Sequence, residues 1–432
     1  MKRRHRHLRF GVHLTLPRAA GRMVPPPPEN PDKENEAPMS VANGREFLNI
    51  PGPTNVPDVV LAAMHRPAID IYSGDMLGLT HSLFEDLPRI FRTAGRAYIY
   101  AANGHGGWEA ALTNVLSRGD TVLVLESGLF AAGWGEMAQM MGVKVESLKG
   151  DARRAVNPEA VRHRLAVDAS HEIKAVLVVQ IDTASGVAND LPAIRAAMDA
   201  ARHPALLMVD AVASLGCMPF EMDVWRIDVA MAGSQKGLMT PPGLAFVAAN
   251  ERAHAAHQKA DLRTRYWDWT FRQGQAHYQK YGGTPPQHLL FGLRKALDLL
   301  LAEGLEHAAR RHALLAEATR QAVGRWAEGG ALAMNASQPA ERANSITCVL
   351  MPDRDPQPLL DYCRHKCGVV LGLGIGPFSG KAFRIAHMGY TNAPMVIGAL
   401  GVVEMGLAAL GIPHGAGGVQ RAVEYLGREV HA

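Results

Sequence analysis

The feature that most constrains this chain is a regular alternation, from about residue 46 onward, of short apolar runs with stretches of helical pattern. Short apolar runs rich in β-branched residues are typical of buried strands, and strands that alternate with helices favour a mostly parallel sheet covered on both faces. The predicted strands are Ala97–Tyr100, Thr121–Leu125, Ala175–Val179, Ala205–Val209 and Val229–Ala232. The predicted helices between them are Gly107–Leu116, Gly133–Met141, Pro158–Ala166 and Pro192–Ala201. The sequence therefore predicts an α/β fold with a mostly parallel central sheet.

The pattern changes after a long predicted helix over Pro285–Glu303, whose leucines are spaced for one apolar face. Beyond it the predicted elements are a helix over His307–Trp326, strands over Ser345–Leu350 and Gly368–Leu371, and a helix over Met395–Leu410. This mixture indicates a smaller C-terminal α+β domain. We predict three parts: a tail over residues 1–45, a large α/β domain over 46–305 and a small domain over 306–432.

The predicted tail differs in composition from the rest. Residues 1–22 are rich in Arg and His and contain no acidic residue, and four prolines follow at 25–28. Such a segment buries too little apolar surface to order itself. We expect a disordered tail or a non-native extension upstream of a start near Met23 or Met39, and a basic transit peptide is the alternative.

Composition excludes several classes of partner. The net charge is +4, but much of the positive excess lies in the first 22 residues, which argues against nucleic acid as a partner of the folded part. No apolar run reaches the roughly 20 residues of a membrane span. Four irregularly spaced cysteines predict a reducing, cytoplasmic location rather than a disulfide framework. Cys363, His365 and Cys367 lack the spacing of a zinc knuckle, so no metal is predicted.

An acidic residue and a lysine follow two successive predicted strands. Asp210 ends the strand at Ala205–Val209, and Lys236 follows the strand at Val229–Ala232 in a loop of small residues. Open α/β sheets bind ligands at the carboxyl edge where such residues meet. Pyridoxal phosphate (PLP) needs a lysine for its aldehyde and an acid for its pyridine nitrogen, so the pair points to PLP. Alone, the lysine would be interpreted as a surface residue and the aspartate as a turn cap.

A glycine-rich turn, Ala101-Ala102-Asn103-Gly104-His105-Gly106-Gly107, stands between a predicted strand and a predicted helix. Such a turn presents free backbone N–H groups and the positive end of a helix dipole, which is a common phosphate site. Many strand-to-helix units have a turn of this kind, so it is moderately specific.

The run Gly233-Ser234-Gln235-Lys236-Gly237-Leu238-Met239 resembles the class V (fold type I) PLP-dependent aminotransferases, most closely the serine–glyoxylate and alanine–glyoxylate aminotransferases. Other matching segments are Pro51-Gly52-Pro53-Thr54-Asn55, Tyr266-Trp267-Asp268-Trp269 and Lys381-Ala382-Phe383-Arg384-Ile385-Ala386-His387. The resemblance covers the chain from about residue 46 to near its C-terminus. It implies the fold type I architecture, PLP as cofactor and ping-pong transamination.

The resemblance also implies roles for particular residues. Lys236 would carry the cofactor as a Schiff base, and Asp210 would pair with the pyridine nitrogen. Around the ring, Val212 would pack under it, Phe130 would stack on it and Thr183 would bond its phenolic oxygen. The expected phosphate ligands are Asn103, Gly104, His105 and Gln235 from one subunit and Tyr281 and Thr284 from its neighbour, which implies a homodimer with shared active sites.

The same resemblance assigns Arg384 to the substrate carboxylate, which it would hold with a two-point fork. The expected reaction passes an amino group from serine or alanine to glyoxylate or a similar small 2-oxo acid. The chain has Asn103-Gly104-His105-Gly106 and Gln180-Ile181-Asp182-Thr183 where serine–glyoxylate enzymes have a Ser-Gly-Thr-Gly type of turn and an Asn-Glu-Thr pattern. Asn103, His105 and Asp182 could therefore recognise another donor, so the pyridoxamine–pyruvate and ureidoglycine–glyoxylate types stay open, as does a PLP lyase or a non-enzymatic binding protein.

Overall fold

The structure is a computed structural model that describes residues 39–430 of the chain. Its strands, in chain order, are β1 (Phe47–Asn49), β2 (Arg96–Ala102), β3 (Thr121–Glu126), β4 (Lys144–Lys149), β5 (Ile173–Val179), β6 (Ile181–Asp182), β7 (Val187–Ala188), β8 (Leu206–Asp210), β9 (Val229–Gly233), β10 (Gly243–Ala249), β11 (Ala333–Met334), β12 (Ile346–Leu350), β13 (Val369–Leu373) and β14 (Ala382–Ala386). Its α-helices are α1 (Asp58–Met64), α2 (Asp75–Phe91), α3 (Gly104–Val115), α4 (Leu129–Met140), α5 (Pro158–Ala166), α6 (Leu191–Ala200), α7 (Glu251–His257), α8 (Trp269–Arg272), α9 (Gln287–Glu303), α10 (Leu305–Ala327), α11 (Gln357–Asp361), α12 (Ala393–Ala409) and α13 (Gly418–Glu429).

The larger sheet has seven strands in the order β2-β10-β9-β8-β5-β3-β4. Strands β9, β8, β5, β3 and β4 run parallel to one another, whereas β10 is antiparallel to both β9 and β2. Alternate residues of a strand point to opposite faces. Val176 and Val178 accordingly join a core with residues of α2, α6 and α9, whereas Leu177 joins a core with residues of α3, α4 and α7. The predicted α/β fold, with helices on both faces of a mostly parallel sheet, is confirmed.

A second sheet has five strands in the order β1-β13-β14-β12-β11. Strand β1 pairs with β13 in parallel and the other pairs are antiparallel. Leu315 and Trp326 of α10 and Leu407 of α12 share a core with this sheet. It is an α+β assembly of the predicted kind. Because β1 belongs to it, this sheet combines a strand from near the N-terminal end of the described chain with four strands from its C-terminal part. The predicted boundary near residue 305 stays a prediction.

Some elements differ from the sequence prediction. Helices α3 and α4 begin three and four residues earlier than predicted, because their first turns are rich in glycine and in small residues that hide the apolar period. Helix α2, strand β10 and helix α13 were not predicted. Strand β4 was also missed, because Lys144, Glu146 and Lys149 give it the polar composition of a solvated edge strand.

The predicted tail lies mostly outside the described residues, since the description starts at residue 39. Ser40 donates its hydroxyl to the carbonyl of His365 (2.9 Å), and the Val41 N–H donates to the carbonyl of Lys366 (2.8 Å). The chain is therefore anchored to the second sheet's region from residue 40, and the disordered tail stays a prediction for residues 1–38. Between residues 39 and 430, no helix combines the length and apolar character that crossing a membrane requires.

Candidate active site

The carboxyl ends of β8 and β9 bring the predicted lysine and aspartate to one cavity of about 180 Å³. These strands are parallel neighbours, with Met208 opposite Val229, so the segments that leave their carboxyl ends meet at the same edge of the sheet. Eight of the sequence-predicted site residues line this cavity: Gly104, His105, Phe130, Thr183, Asp210, Val212, Gln235 and Lys236. Asn103, Tyr281, Thr284 and Arg384 are not among the lining residues.

Asp210, the last residue of β8, is almost fully buried. Its Oδ1 accepts the backbone N–H of Val212 (2.7 Å) and its Oδ2 accepts the indole N–H of Trp108 (2.6 Å). Burial raises the pKa of this carboxyl to about 6, and the two N–H donors oppose that rise. A buried carboxylate that keeps lone pairs for the cavity can hold a proton at a ring nitrogen.

Lys236 follows β9 and points across the cavity from a loop of small residues. Its Nζ donates a hydrogen bond to the carbonyl of Pro51. Burial lowers the pKa of the Lys236 amine to about 8, and the neighbouring guanidinium of Arg384 acts in the same direction. Gly52 has a φ of +104°, which other residues rarely adopt, and a Cβ there would lie 2.6 Å from Nζ, so glycine suits the close approach of the Pro51–Pro53 loop to the lysine. The amine is therefore poised to lose its proton and act as a nucleophile near neutral pH.

Helix α3 begins at the glycine-rich turn, as a phosphate site requires. The side chain of Asn103 caps this helix by accepting the N–H groups of His105 (3.1 Å) and Gly106 (3.3 Å). Asn103 thus occupies two of the N–H groups that the sequence suggested would be free. The backbone N–H of Gly104 has no partner among residues 39–430, and a Cβ at Gly104 would lie 3.2 Å from Cγ2 of Val212. Gln235 lies beside this end of the cavity, with its buried Oε1 unpaired within the described chain.

Phe130 lies in the first turn of α4, which begins four residues before the helix that the sequence predicted from Gly133. Its ring lies edge-on to that of Trp108, with centroids 6.4 Å apart. Thr183 lines the same cavity, and its carbonyl accepts a hydrogen bond from Nη1 of Arg384 (2.9 Å). The cavity therefore has an aromatic wall and a hydroxyl, both suited to a flat polar ring.

Arg384 lies on β14 in the second sheet, close enough to Lys236 to lower the pKa of its amine. Its Nε donates to the carbonyl of Leu373 (2.8 Å), so two of its three nitrogens already contact backbone carbonyls. Over residues 39–430, Nη2 makes no hydrogen bond. Within the described chain, the two hydrogens of Nη2 and the second hydrogen of Nη1 therefore remain free to bind a substrate carboxylate.

Tyr281 and Thr284 lie away from this subunit's cavity. The ring of Tyr281 is buried, and its hydroxyl is 2.8 Å from Oγ1 of Thr80. Thr284, by contrast, is exposed. Of the two predicted ligands of a neighbour's phosphate, Thr284 is exposed, whereas Tyr281 is buried in this subunit.

Asp182 does not face the cavity, contrary to the suggestion that it could recognise a donor. The side chain is fully buried. Its Oδ2 accepts the N–H of Phe130 (2.8 Å) and its Oδ1 accepts the N–H of Ala184 (3.0 Å). Burial raises the pKa of this carboxyl. Asp182 therefore anchors the start of α4, where a negative charge is favoured by the helix dipole, and so sets the position of Phe130.

Trp108 is a lining residue to which the sequence assigned no role. It lies four residues after Gly104 and so on the same helix face. That spacing could have indicated that its side chain points towards the same cavity. Trp267 and Trp269, which belong to a segment that resembles the serine–glyoxylate and alanine–glyoxylate enzymes, lie outside the cavity. Trp267 donates to Glu109 (3.2 Å), and Trp269 is buried and stacks on Tyr98.

Comparisons with known proteins agree on one family. Residues 92–376 match the model of the family described as "Aminotransferase class-V". The chain is similar to the serine–glyoxylate aminotransferase of Methylorubrum extorquens, at 41% identity over 89% of this chain and 96% of that protein. It is also similar to the L-aspartate–glyoxylate aminotransferase of Paracoccus denitrificans, at 36% identity over 87% of this chain and 95% of that protein. The solved pyridoxamine–pyruvate aminotransferase of Mesorhizobium loti superposes with a TM-score of 0.83 at 29% identity, covering 90% of this chain and 98% of that one.

Proposed function

This chain belongs to the class-V aminotransferase family, and on that premise we propose that it transfers the amino group of serine or alanine to glyoxylate or a similar small 2-oxo acid, with PLP as its cofactor. The observation that carries the proposal is that Lys236 and Asp210 face one cavity from neighbouring parallel strands. A lysine with a lowered amine pKa and a buried acid are the two groups that PLP chemistry requires of a protein.

The cavity residues fit PLP by their chemistry. Asp210 offers a carboxylate to the ring nitrogen and Phe130 an aromatic face, while the unpaired Gly104 N–H and the side chain of Gln235, through its Nε2 donor, lie where a phosphate could be held. When bound, PLP supplies an electron sink that stabilises negative charge at the substrate Cα. Thr183 would hold the phenolic oxygen, and Val212 would pack against the ring.

In the proposed mechanism Lys236 has two tasks. Its neutral amine would hold the cofactor through the aldehyde, and the same amine, when free, would move the proton at the substrate Cα. Asp210 holds the proton at the ring nitrogen throughout. Arg384 orients the substrate by binding its carboxylate through Nη1 and Nη2.

The donor is proposed to be small and neutral. The sequence offers no second arginine in a matching motif that would select a side-chain carboxylate, and the serine–glyoxylate relative is 41% identical. The relative that uses L-aspartate, at 36% identity, supports an acidic donor as the competing candidate. A pyridoxamine donor is supported by the superposition on the pyridoxamine–pyruvate enzyme, and a ureidoglycine donor and a lyase stay weaker alternatives.

The assembly and location are also proposals. We infer a homodimer in which Tyr281 and Thr284 reach the partner's phosphate site, which the exposure of Thr284 supports. Four free cysteines support a reducing cytoplasm. Mixing inactive Lys236→Ala with an inactive Tyr281→Phe/Thr284→Ala double variant should partly restore activity, because one of the two sites in a heterodimer then carries neither change. Proven heterodimers without activity would place both residues elsewhere.

A spectroscopic donor screen tests the proposed function. Purified protein with added PLP should be yellow, and borohydride should fix the label on Lys236. Serine or alanine should then bleach the band near ~420 nm to one near ~330 nm, and glyoxylate should restore it. Aspartate and pyridoxamine are tested alongside. If neither serine nor alanine changes the spectrum while another amine does, the family stands but the proposed donor is wrong.

A further inference from the structure

Trp108 contacts Asp210, the buried acid that lines the cavity. Its indole is almost fully buried in α3, and Nε1 donates to Oδ2 of Asp210 at 2.6 Å. The backbone N–H of Val212 donates to Oδ1 at 2.7 Å. Each carboxylate oxygen therefore accepts one hydrogen bond and keeps a second acceptor position. The two contacts fix the plane of the carboxylate at the cavity wall.

An indole N–H is a donor and never an acceptor, so it satisfies the ionised carboxylate and not a carboxylic acid that turns its O–H towards it. Burial and the nearby charge of Asp182 both favour the neutral acid, whereas the indole, the Val212 N–H and the charge of Lys236 favour the anion. Because influences of both signs act on Asp210, loss of one charge-assisted hydrogen bond can change whether its carboxyl group is ionised or neutral.

We propose that Trp108 is a positioning residue for transamination: its indole N–H keeps Asp210 ionised and oriented, so that the shared proton stays on the ring nitrogen of bound PLP. The proton lies between a carboxylate and a ring nitrogen, and it moves to whichever is the stronger base. A hydrogen bond donated to the carboxylate weakens it as a base. This inference rests on the proposed PLP chemistry and adds a residue to it.

Helix α3 explains why a tryptophan can do this. Gly104 opens the helix at the predicted phosphate end of the cavity, and Trp108 lies one turn later on the same face. One rigid element thus contacts both ends of the cavity. Trp134 of α4 stacks against Trp108, with centroids 6.1 Å apart and an angle of 17°.

Trp134 also supplies a matched control. It is fully buried like Trp108, but its Nε1 has no hydrogen-bond partner among the described residues. Trp134→Phe therefore removes the same atoms from the same stack without removing a contact to Asp210. Any effect common to both substitutions is an effect of packing.

The experiment uses PLP labelled with ¹⁵N in its ring, bound to the holoenzyme and observed by NMR. The wild-type signal should lie in the range of a protonated ring. Trp108→Phe should move it towards the value of the unprotonated ring and lower kcat on the order of 10- to 100-fold, with little change in KM for the donor. Trp134→Phe should leave the signal in place. Should Trp108→Phe fold poorly, Trp108→3-benzothienylalanine, which replaces the indole N–H with sulfur, serves instead.

The outcomes of this experiment distinguish failure of the role of Trp108 from failure of the proposed PLP chemistry. If Asp210→Asn moves the ¹⁵N signal and neither Trp108 variant does, the role of Trp108 is overturned while the PLP chemistry stands. An equal shift in Trp134→Phe would overturn it too, because packing would then account for the effect. A wild-type protein that never binds PLP overturns both.

Discussion

Asp210 and Asp182 are buried carboxylates at the same edge of the seven-stranded sheet, and burial raises the pKa of both. Asp210 accepts one side-chain and one backbone N–H and still lines the cavity. Asp182 accepts the N–H groups of Phe130 and Ala184 at the start of α4 and the adjoining turn, and it is not among the residues that line the cavity. Both carboxylates accept N–H groups on each oxygen, so position rather than burial decides whether a strand-end acid is available for chemistry: Asp210 faces the cavity, whereas Asp182 faces the start of α4.

The largest expected effect belongs to Asp210→Asn. A neutral amide cannot hold a proton at a ring nitrogen, so the first half-reaction with a good donor should slow on the order of 10²- to 10⁴-fold. Single-turnover absorbance measurements on the PLP-loaded protein give this rate directly. The rate of the same half-reaction in Asp182→Asn, corrected for the fraction of folded protein, should stay within about tenfold of the wild-type rate. Equal losses in the two variants would contradict the division of roles.

The sequence could predict the Asp210–Lys236 pair because neighbouring parallel strands have their carboxyl ends at the same edge of the sheet. It could not assign Asp182. Strand β5 ends at Val179, and the chain then forms the short hairpin of β6 and β7, which begins at Ile181. The direction in which the Asp182 side chain faces in that hairpin depends on its contacts with α4, a helix that is far from it in sequence. The fold class followed from the alternation of strands and helices alone.

Contacts between segments that are distant along the chain could not be predicted from the sequence. The Trp108–Asp210 hydrogen bond joins residues 102 positions apart, and Tyr281 meets Thr80 across 201 positions. Spacing within α3 indicates which face Trp108 occupies, but it does not identify the acceptor on another strand. The second sheet was also only partly predicted, because β1 pairs with a strand far along the chain (Phe47 with Val369).

The next largest effect is on stability and belongs to Asp182→Asn. An amide has one acceptor oxygen, so either Phe130 or Ala184 would keep a buried N–H without a partner, which costs about 1–3 kcal/mol. Removal of a buried charge offsets part of this loss, because burial raises the pKa of Asp182 and so disfavours its ionised form. We expect a net loss in the free energy of unfolding, measured by urea denaturation of the PLP-free protein.

Asp190→Asn is the matched control for that measurement. Asp190 is exposed and caps α6 by accepting the N–H of Ala193 (3.0 Å). Asparagine caps a helix about as well as aspartate, so this substitution should leave the midpoint almost unchanged. If Asp182→Asn is as stable as Asp190→Asn, the carboxylate of Asp182 is not what anchors α4.

The smallest expected effect concerns the pH at which Lys236 reacts. The neutral amine is the nucleophile, and burial lowers its pKa to about 8, so PLP should attach faster as pH rises from 6 and level off above pH 8. The negative charge of Asp210 raises this pKa and the positive charge of Arg384 lowers it. Asp210→Asn should therefore move the profile to lower pH, and Arg384→Gln to higher pH, each changing the rate at pH 7 by less than about tenfold.

Asp182 is not among the charges that act on the Lys236 amine. Asp182→Asn should therefore leave the profile where the wild type has it. The measurement follows the growth of absorbance after PLP is added to PLP-free protein, under the same PLP excess at each pH. Ionisation of free PLP is common to all variants and cancels in the comparison. A profile displaced as far by Asp182→Asn as by Asp210→Asn would mean that the two acids share one electrostatic site, and the distinction drawn from their positions would fail.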